Sequence, residues 1–140
     1  MIKLKPYSAS VLALAGSLLV AIGIYFIFLR PPLLPEDLRY MKTSLSAITS
    51  TVPGLPGWLQ KVFRVMGSYI LTTGLLTVFI SFTSFRTRLP GIFVIIALTG
   101  MSSIGSMIVV NFMIGSDFKW ILLICSLPWV FSLTLYGLQK

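Results

Sequence analysis

The residues in this sequence that could take part in chemistry are few, and most of them are hydroxyls. Thr73, Thr77, Ser81 and Ser84 recur at helical spacing in one apolar stretch. Thr99, Ser103 and Ser106, with Ser102, Gly100 and Gly105 beside them, do the same in the next. Two such stripes on consecutive helices can face each other. They then either permit close helix approach, with hydroxyl bonds of about 0.6 kcal/mol apiece, or line a polar cavity. Packing is the simpler reading, because a hydroxyl carries no charge.

The chain contains no histidine, a single cysteine and only 3 acidic residues. The first absence removes imidazole-held haem and zinc and every histidine acid/base scheme. A lone Cys125, with no second thiol to pair or activate it, reads as an inert buried thiol. Glu36, Asp37 and Asp117 all fall outside the apolar stretches, so they offer neither a metal site nor a membrane-embedded proton relay. No catalytic residue, metal or cofactor is expected, and the chain reads as a non-enzymatic protein.

Three further residues stand out. Arg64 sits at the mouth of an apolar stretch beside Met66 and Gly67, as a headgroup anchor or as a partner for Glu36 or Asp37. Asn111 reads as a helix-to-helix hydrogen bonder. Trp129 follows Pro128 in mid-stretch, away from any interface, so its indole must pack in a core or line a pocket.

These side chains need elements to hold them, and the composition says which. The sequence is 56% hydrophobic and 10% charged, against about 25% charged in ordinary soluble domains. Its charges delimit four uncharged runs, 6–29, 65–85, 89–116 and 120–139. Each has the roughly 20 residues that a helix needs to cross the hydrocarbon core. A lipid-exposed backbone must satisfy its own hydrogen bonds, and these runs are far longer than barrel strands. The fold class is all-α: an integral membrane bundle of four transmembrane helices in one domain, with spans at about 7–29, 62–85, 89–114 and 118–138.

The linker between the first two spans carries Pro35 at a first helical position, with Glu36 and Asp37 after it. Leu38, Met41, Leu45, Ile48 and Val52 then share one helical face. This predicts a short amphipathic surface helix over about 36–50, lying on the membrane or capping the bundle, and ended by Pro53-Gly54. The next helix starts near Pro56-Gly57. The short connections after the second and third spans predict a tight antiparallel run of spans two, three and four.

A formal charge of +8 would suggest nucleic acid in a soluble protein. Here the basic residues edge the apolar runs, so the expected partner is the lipid bilayer and not nucleic acid. Trp58, Lys61, Arg64, Arg86 and Arg88 are the expected interfacial anchors. The first span begins like a secretory signal after Lys3 and Lys5, but it stays apolar to Leu29 without a cleavage site and should be retained. Four spans put both termini on one side. Lys3, Lys5, Arg86, Arg88 and Lys140 there nearly balance Arg30, Arg39, Lys42, Lys61, Arg64 and Lys119 opposite. The compact Arg86/Arg88 turn favours cytoplasmic termini in a plasma (bacterial inner) membrane.

Small residues mark helix contacts. Ala9, Ala13, Gly16 and Gly23 lie on the first span, and Gly67, Gly74 and Ser81 on the second at seven-residue spacing; these read as packing inside the bundle, or as docking onto a partner's helix. The residues expected to pack the helices or line a pocket are Gly67, Thr73, Gly74, Thr77, Thr99, Gly100, Ser103, Ser106 and Trp129.

The run Phe63-Arg64-Val65-Met66-Gly67-Ser68 followed by Gly74-Leu75-Leu76 resembles the DoxX-like group of small four-helix membrane proteins, and the arrangement of spans is similar over most of the chain. The linker run from Arg30 through Pro31-Pro32-Leu33-Leu34-Pro35 to Leu38 departs from that group. The resemblance implies a four-helix membrane component and no particular activity.

Three functions fit these observations. The first is an accessory or scaffolding subunit that binds a partner membrane protein or a second copy of itself. The second is a binder of an apolar molecule such as a lipid or quinone. A small dimeric transporter ranks third, for want of a carboxylate within a span.

Overall fold

A computed structural model describes residues 5–138. Lys3, Lys140 and the side chain of Lys5 lie outside the described residues. The described chain is helical, with no strand among the described residues. Helix α1 (Lys5–Ile24) ends in a π-helical turn, Tyr25–Leu29, and two short helices follow, α2 (Pro35–Met41) and α3 (Leu45–Thr51). The long α4 (Leu55–Ile80) also finishes in a π turn, Ser81–Phe85. Next come α5 (Ile92–Gly100), a π turn at Met101–Gly105 and α6 (Ser106–Met113), which together make one rod, and finally α7 (Lys119–Leu138).

Four helices, Tyr7–Leu29, Leu55–Phe85, Ile92–Met113 and Lys119–Leu138, are long and apolar enough to cross a membrane. Their outer faces carry exposed Leu14, Leu75, Phe79, Ile95, Leu98, Ile124 and Phe131, a surface that only lipid or other protein solvates without penalty. The protein is a membrane protein. The second helix begins earlier than the estimate of residue 62, because Pro56 is tolerated in its first turn. Trp58, Lys61 and Arg64 consequently stand on the helix as exposed side chains.

The order of packing differs from the expected run of spans two, three and four. Helix α1 sits in the middle, with its most extensive contact against α4 and the next against α7, while α5 and α6 lean on α7. Glycine decides this arrangement. A Cβ added to Gly74 would lie 2.6 Å from the Val20 backbone nitrogen and 2.7 Å from the Gly16 carbonyl oxygen. One added to Gly23 would lie 2.6 Å from the Leu71 nitrogen, and one on Gly67 would lie 2.9 Å from the Gly23 carbonyl oxygen. Both helices carry their glycines seven residues apart, so the pairs meet along one seam at backbone distance. The third span has no such row to offer α4, and a short turn fixes only where two helices join, not how closely they pack.

The single surface helix expected over 36–50 is two helices. Lys42 takes a left-handed conformation (φ 54°), and the Thr43 N–H donates back to the Leu38 carbonyl at 3.2 Å, which closes α2. Ser44 then caps α3, its hydroxyl accepting the Ala47 N–H at 3.2 Å. With the register broken, Met41, Leu45 and Val52 are exposed, and only Leu38 and Ile48 of the expected face are half-buried.

The core gathers Ala9, Leu12, Ala15, Leu19, Phe85, Ile92, Ile96, Ile104 and Trp129. It fills the end of the bundle that holds the Arg86–Arg88 turn and the last turns of α7. There Ser132 Oγ donates to the Ser8 carbonyl at 2.7 Å and an Arg88 guanidinium nitrogen donates to the Tyr136 carbonyl at 2.9 Å, which puts both ends of the described chain on one side.

Candidate functional site

The opposite end of the bundle is less tightly closed, and its cavity opens to the outside past exposed Ala21, Met66 and Ile121. A cavity of about 660 Å³ lies between α1, α4, α6 and α7 beneath α2. Its walls are mostly apolar, with Leu18, Ile22, Met66, Met107, Ile121 and Leu122 among them. Tyr25, Phe26, Phe63 and Phe118 form an aromatic belt, and Arg30, Glu36 and Asp37 stand at one end.

The local sequence explains how the polar end is held. At the close of α1 the backbone widens into a π turn, and the Arg30 N–H donates to the Tyr25 carbonyl five residues back at 2.8 Å. This turn brings Tyr25, Phe26 and Arg30 to the cavity together. The Arg30 guanidinium lies 3.5 Å from the centroid of the Phe63 ring and 5.4 Å from that of Phe26. It donates to the Pro31 carbonyl at 2.9 Å and to Asp37 Oδ2 at 3.3 Å. Burial pushes the guanidinium down from its ordinary value, and the neighbouring Asp37 opposes that shift. Asp37 Oδ2 also accepts the Leu34 N–H at 2.9 Å, satisfying one of the orphan donors where α2 begins.

Glu36 is the least expected of these side chains. It is only 2% exposed. Its Oε1 accepts from Ser116 Oγ at 3.1 Å, and that hydroxyl in turn accepts the Phe118 N–H at 3.1 Å. The loop before α7 is thus tied to α2, and a second tie runs from Arg39 to Asp117 at 2.9 Å on the exposed face. Ser116 accepts the Phe118 backbone N–H next to the start of α7, and Asp117 faces Arg39.

The other predicted residues separate into groups. Gly67 and Gly74 form the α1–α4 seam, and Thr77 and Ser81 are buried on the same side of α4. Gly100 lies directly under the Trp129 indole, whose Nε1 donates to the Ile96 carbonyl at 3.1 Å. Trp129 is therefore a core residue. Thr73, Thr99, Ser102, Ser103 and Ser106 do face one another, across a cleft of about 340 Å³ between α4 and the α5–α6 rod. Their hydroxyls, however, bond within their own helices: Thr73 to the Tyr69 carbonyl, Thr99 to Ile95, Ser103 to Thr99 and Ser106 to Ser102. Asn111 likewise donates to the Met107 carbonyl of its own helix instead of bridging two.

Arg64 is exposed and does not pair with Glu36 or Asp37; Arg30 takes that place. Arg86 is exposed as an anchor would be, whereas Arg88 binds the last turn of α7 and stacks 4.5 Å from the Tyr136 ring. Cys125 is half-buried and lines the larger cavity. Among the described residues no three of His, Cys, Asp and Glu come together as metal ligands do.

No family model, characterised protein or solved structure matches the chain, so the site rests on its own geometry.

Proposed function

We propose that this protein is a non-enzymatic binder of an amphipathic molecule, taken up in the cavity between α1, α4, α6 and α7. The observation that carries this reading is a cavity of about 660 Å³ with apolar walls and a charged end. Apolar clefts with a few convergent polar groups are where small molecules bind. The cavity groups able to do chemistry are Arg30, Glu36, Asp37 and Cys125, and they suit recognition better than a reaction. The test is to isolate the protein in lipid nanodiscs and extract what copurifies. Ala21 lines the cavity with an exposed side chain, so Ala21→Trp fills the space without touching the core. A stoichiometric molecule is expected in the wild type and in Leu14→Trp, and absent in Ala21→Trp. Its absence from the wild type, or its retention in Ala21→Trp, overturns the reading.

The cleft between α4 and the α5–α6 rod supports a second reading, an accessory subunit that receives a partner's helix or a second copy of this chain. The glycine rows support it less, being occupied within the bundle. Co-migration with another membrane protein in mild detergent, lost in Ser102→Trp, is its signature.

We place the protein in the plasma membrane with the Arg86–Arg88 turn on the cytoplasmic side. Cysteines introduced at Thr87 and Lys42 into a Cys125→Ser background should react with an impermeant thiol reagent from opposite sides.

A further inference from the structure

Glu36 points to the chemical class of the ligand. Its carboxylate is almost fully buried, yet only Oε1 has a hydrogen-bond partner, Ser116. Among the described residues nothing donates to Oε2, and that oxygen is not sealed into the protein, because no buried side-chain polar atom there lacks a partner. Glu36 is among the residues that line the cavity, so its carboxylate stands at the wall where a bound molecule would lie.

The positive charge beside it is shared: Arg30 interacts with Glu36 as well as with Asp37, but of the two it hydrogen-bonds Asp37. Arg30 is the one basic residue in the cavity wall, against Glu36 and Asp37. Its guanidinium donates to Asp37 and to the Pro31 carbonyl, and its flat face is stacked on Phe63. A carboxylate with a single side-chain donor keeps acceptor capacity that a bound donor can use. Tyr25 and Phe118 lie in the same wall with ring centroids 6.3 Å apart, and aromatic faces attract cations.

We propose that the cavity selects amphiphiles with a cationic, N–H-bearing head group, which Glu36 Oε2 accepts while the chain lies along the apolar wall. This rests on the cavity being a binding site and adds the charge of its ligand.

The experiment uses full-length protein in nanodiscs and equilibrium binding of radiolabelled dodecylamine, corrected for empty nanodiscs. Dodecanol and dodecanoate, with the same chain length and a neutral or anionic head, serve as competitors. Dodecylamine should bind at least roughly tenfold more tightly than either, the size expected for a charge-assisted hydrogen bond in a sheltered site. Glu36→Gln should remove that preference, and Ala21→Trp should abolish the binding of all three. Ser116→Ala retains the carboxylate and must retain the amine preference, so it decides the matter should Glu36→Gln not fold. Equal binding of the three amphiphiles, tighter binding of dodecanoate, or an amine preference that survives in Glu36→Gln or is lost in Ser116→Ala overturns the cation selectivity and leaves the cavity a binding site. Failure of all three to bind overturns the cavity reading as well.

Discussion

The two ends of this bundle are built from the same four helices by opposite means. At the end that holds the Arg86–Arg88 turn, α7 meets both α1 and α5, and Phe85, Leu12, Ile96 and Trp129 fill the space between them. Its polar side chains reach across to the backbone of another element: Ser132 to Ser8, Trp129 to Ile96 and Arg88 to Tyr136. At the end beneath α2, α1 and α4 remain pressed together at Gly23 and Gly67, but α6 and α7 stand off and the gap is ringed by aromatics. There the ties run between side chains, Arg30 to Asp37 and Glu36 to Ser116. Apolar filling and backbone-anchored donors close one end, while charged pairs beside a cleft leave the other open. In lipid, where the surroundings are as apolar as the core, close packing and satisfied polar groups are what hold the first end together.

The largest effect should come from breaking the seam that both ends share. Gly74→Leu places a side chain where Val20 and Gly16 backbone atoms already lie, and it should cost about 3 kcal/mol or more, enough to remove folded protein. Gly57→Leu, where an added Cβ meets nothing, is the matched control. Size-exclusion chromatography and thermal unfolding in detergent read the difference. Equal tolerance of both would mean that the helices do not meet at backbone distance.

Next comes the core indole. Trp129→Ala empties the centre of the packed end and should cost about 3–5 kcal/mol, while Trp58→Ala, on an exposed side chain, should stay within about 0.5 kcal/mol. At the open end, Arg30→Gln should cost about 2 kcal/mol, because it strips Asp37 of a sheltered partner and Phe63 of its cation, whereas Arg64→Gln should be near neutral. If Arg64→Gln proved the more harmful of the two, the assignment of Arg30 to the polar end would be wrong.

How far the sequence reveals this difference depends on the kind of signal each end carries. The spans are plain from the gaps between charges, since hydropathy is a sum over many residues and tolerates local irregularity. Gly67, Gly74 and Gly100 are legible as contact points because only close approach gives small residues a purpose in an apolar helix. Which helix meets them is not legible, since periodicity gives a face and not its partner. Glu36 reads as a first-turn residue on an exposed helix, and its burial depends on Ser116, eighty positions along the chain. The break at Lys42 has a local sign, Ser44 three residues before Ala47, which a continuous apolar face obscures. The π turn that presents Tyr25 and Arg30 has no comparable mark. The cavity is the least visible feature, because a gap between helices is a property of all four together. With Glu36 lining it, the absence of carboxylates within the spans is a weaker reason to set the transporter reading aside than the sequence suggests.

The smallest expected effect separates hydroxyls that hold the fold from those that only look as though they do. Thr99 lines the cleft, but its hydroxyl donates to Ile95 in its own helix at 2.8 Å, replacing nothing that another helix supplies. Thr99→Val keeps the shape and the β-branch, so its effect on unfolding should fall within about 0.5 kcal/mol. Ser132→Ala removes a donor that crosses from α7 to the Ser8 carbonyl in α1, and it should cost about 0.5–1.5 kcal/mol. Both residues belong to the same chemical class in the sequence, and only the location of the acceptor differs. A Thr99→Val effect as large as that of Ser132→Ala would mean that the cleft is a cohesive contact between α4 and α5, and the division into a packed end and an open one would then have to be redrawn along the length of the bundle.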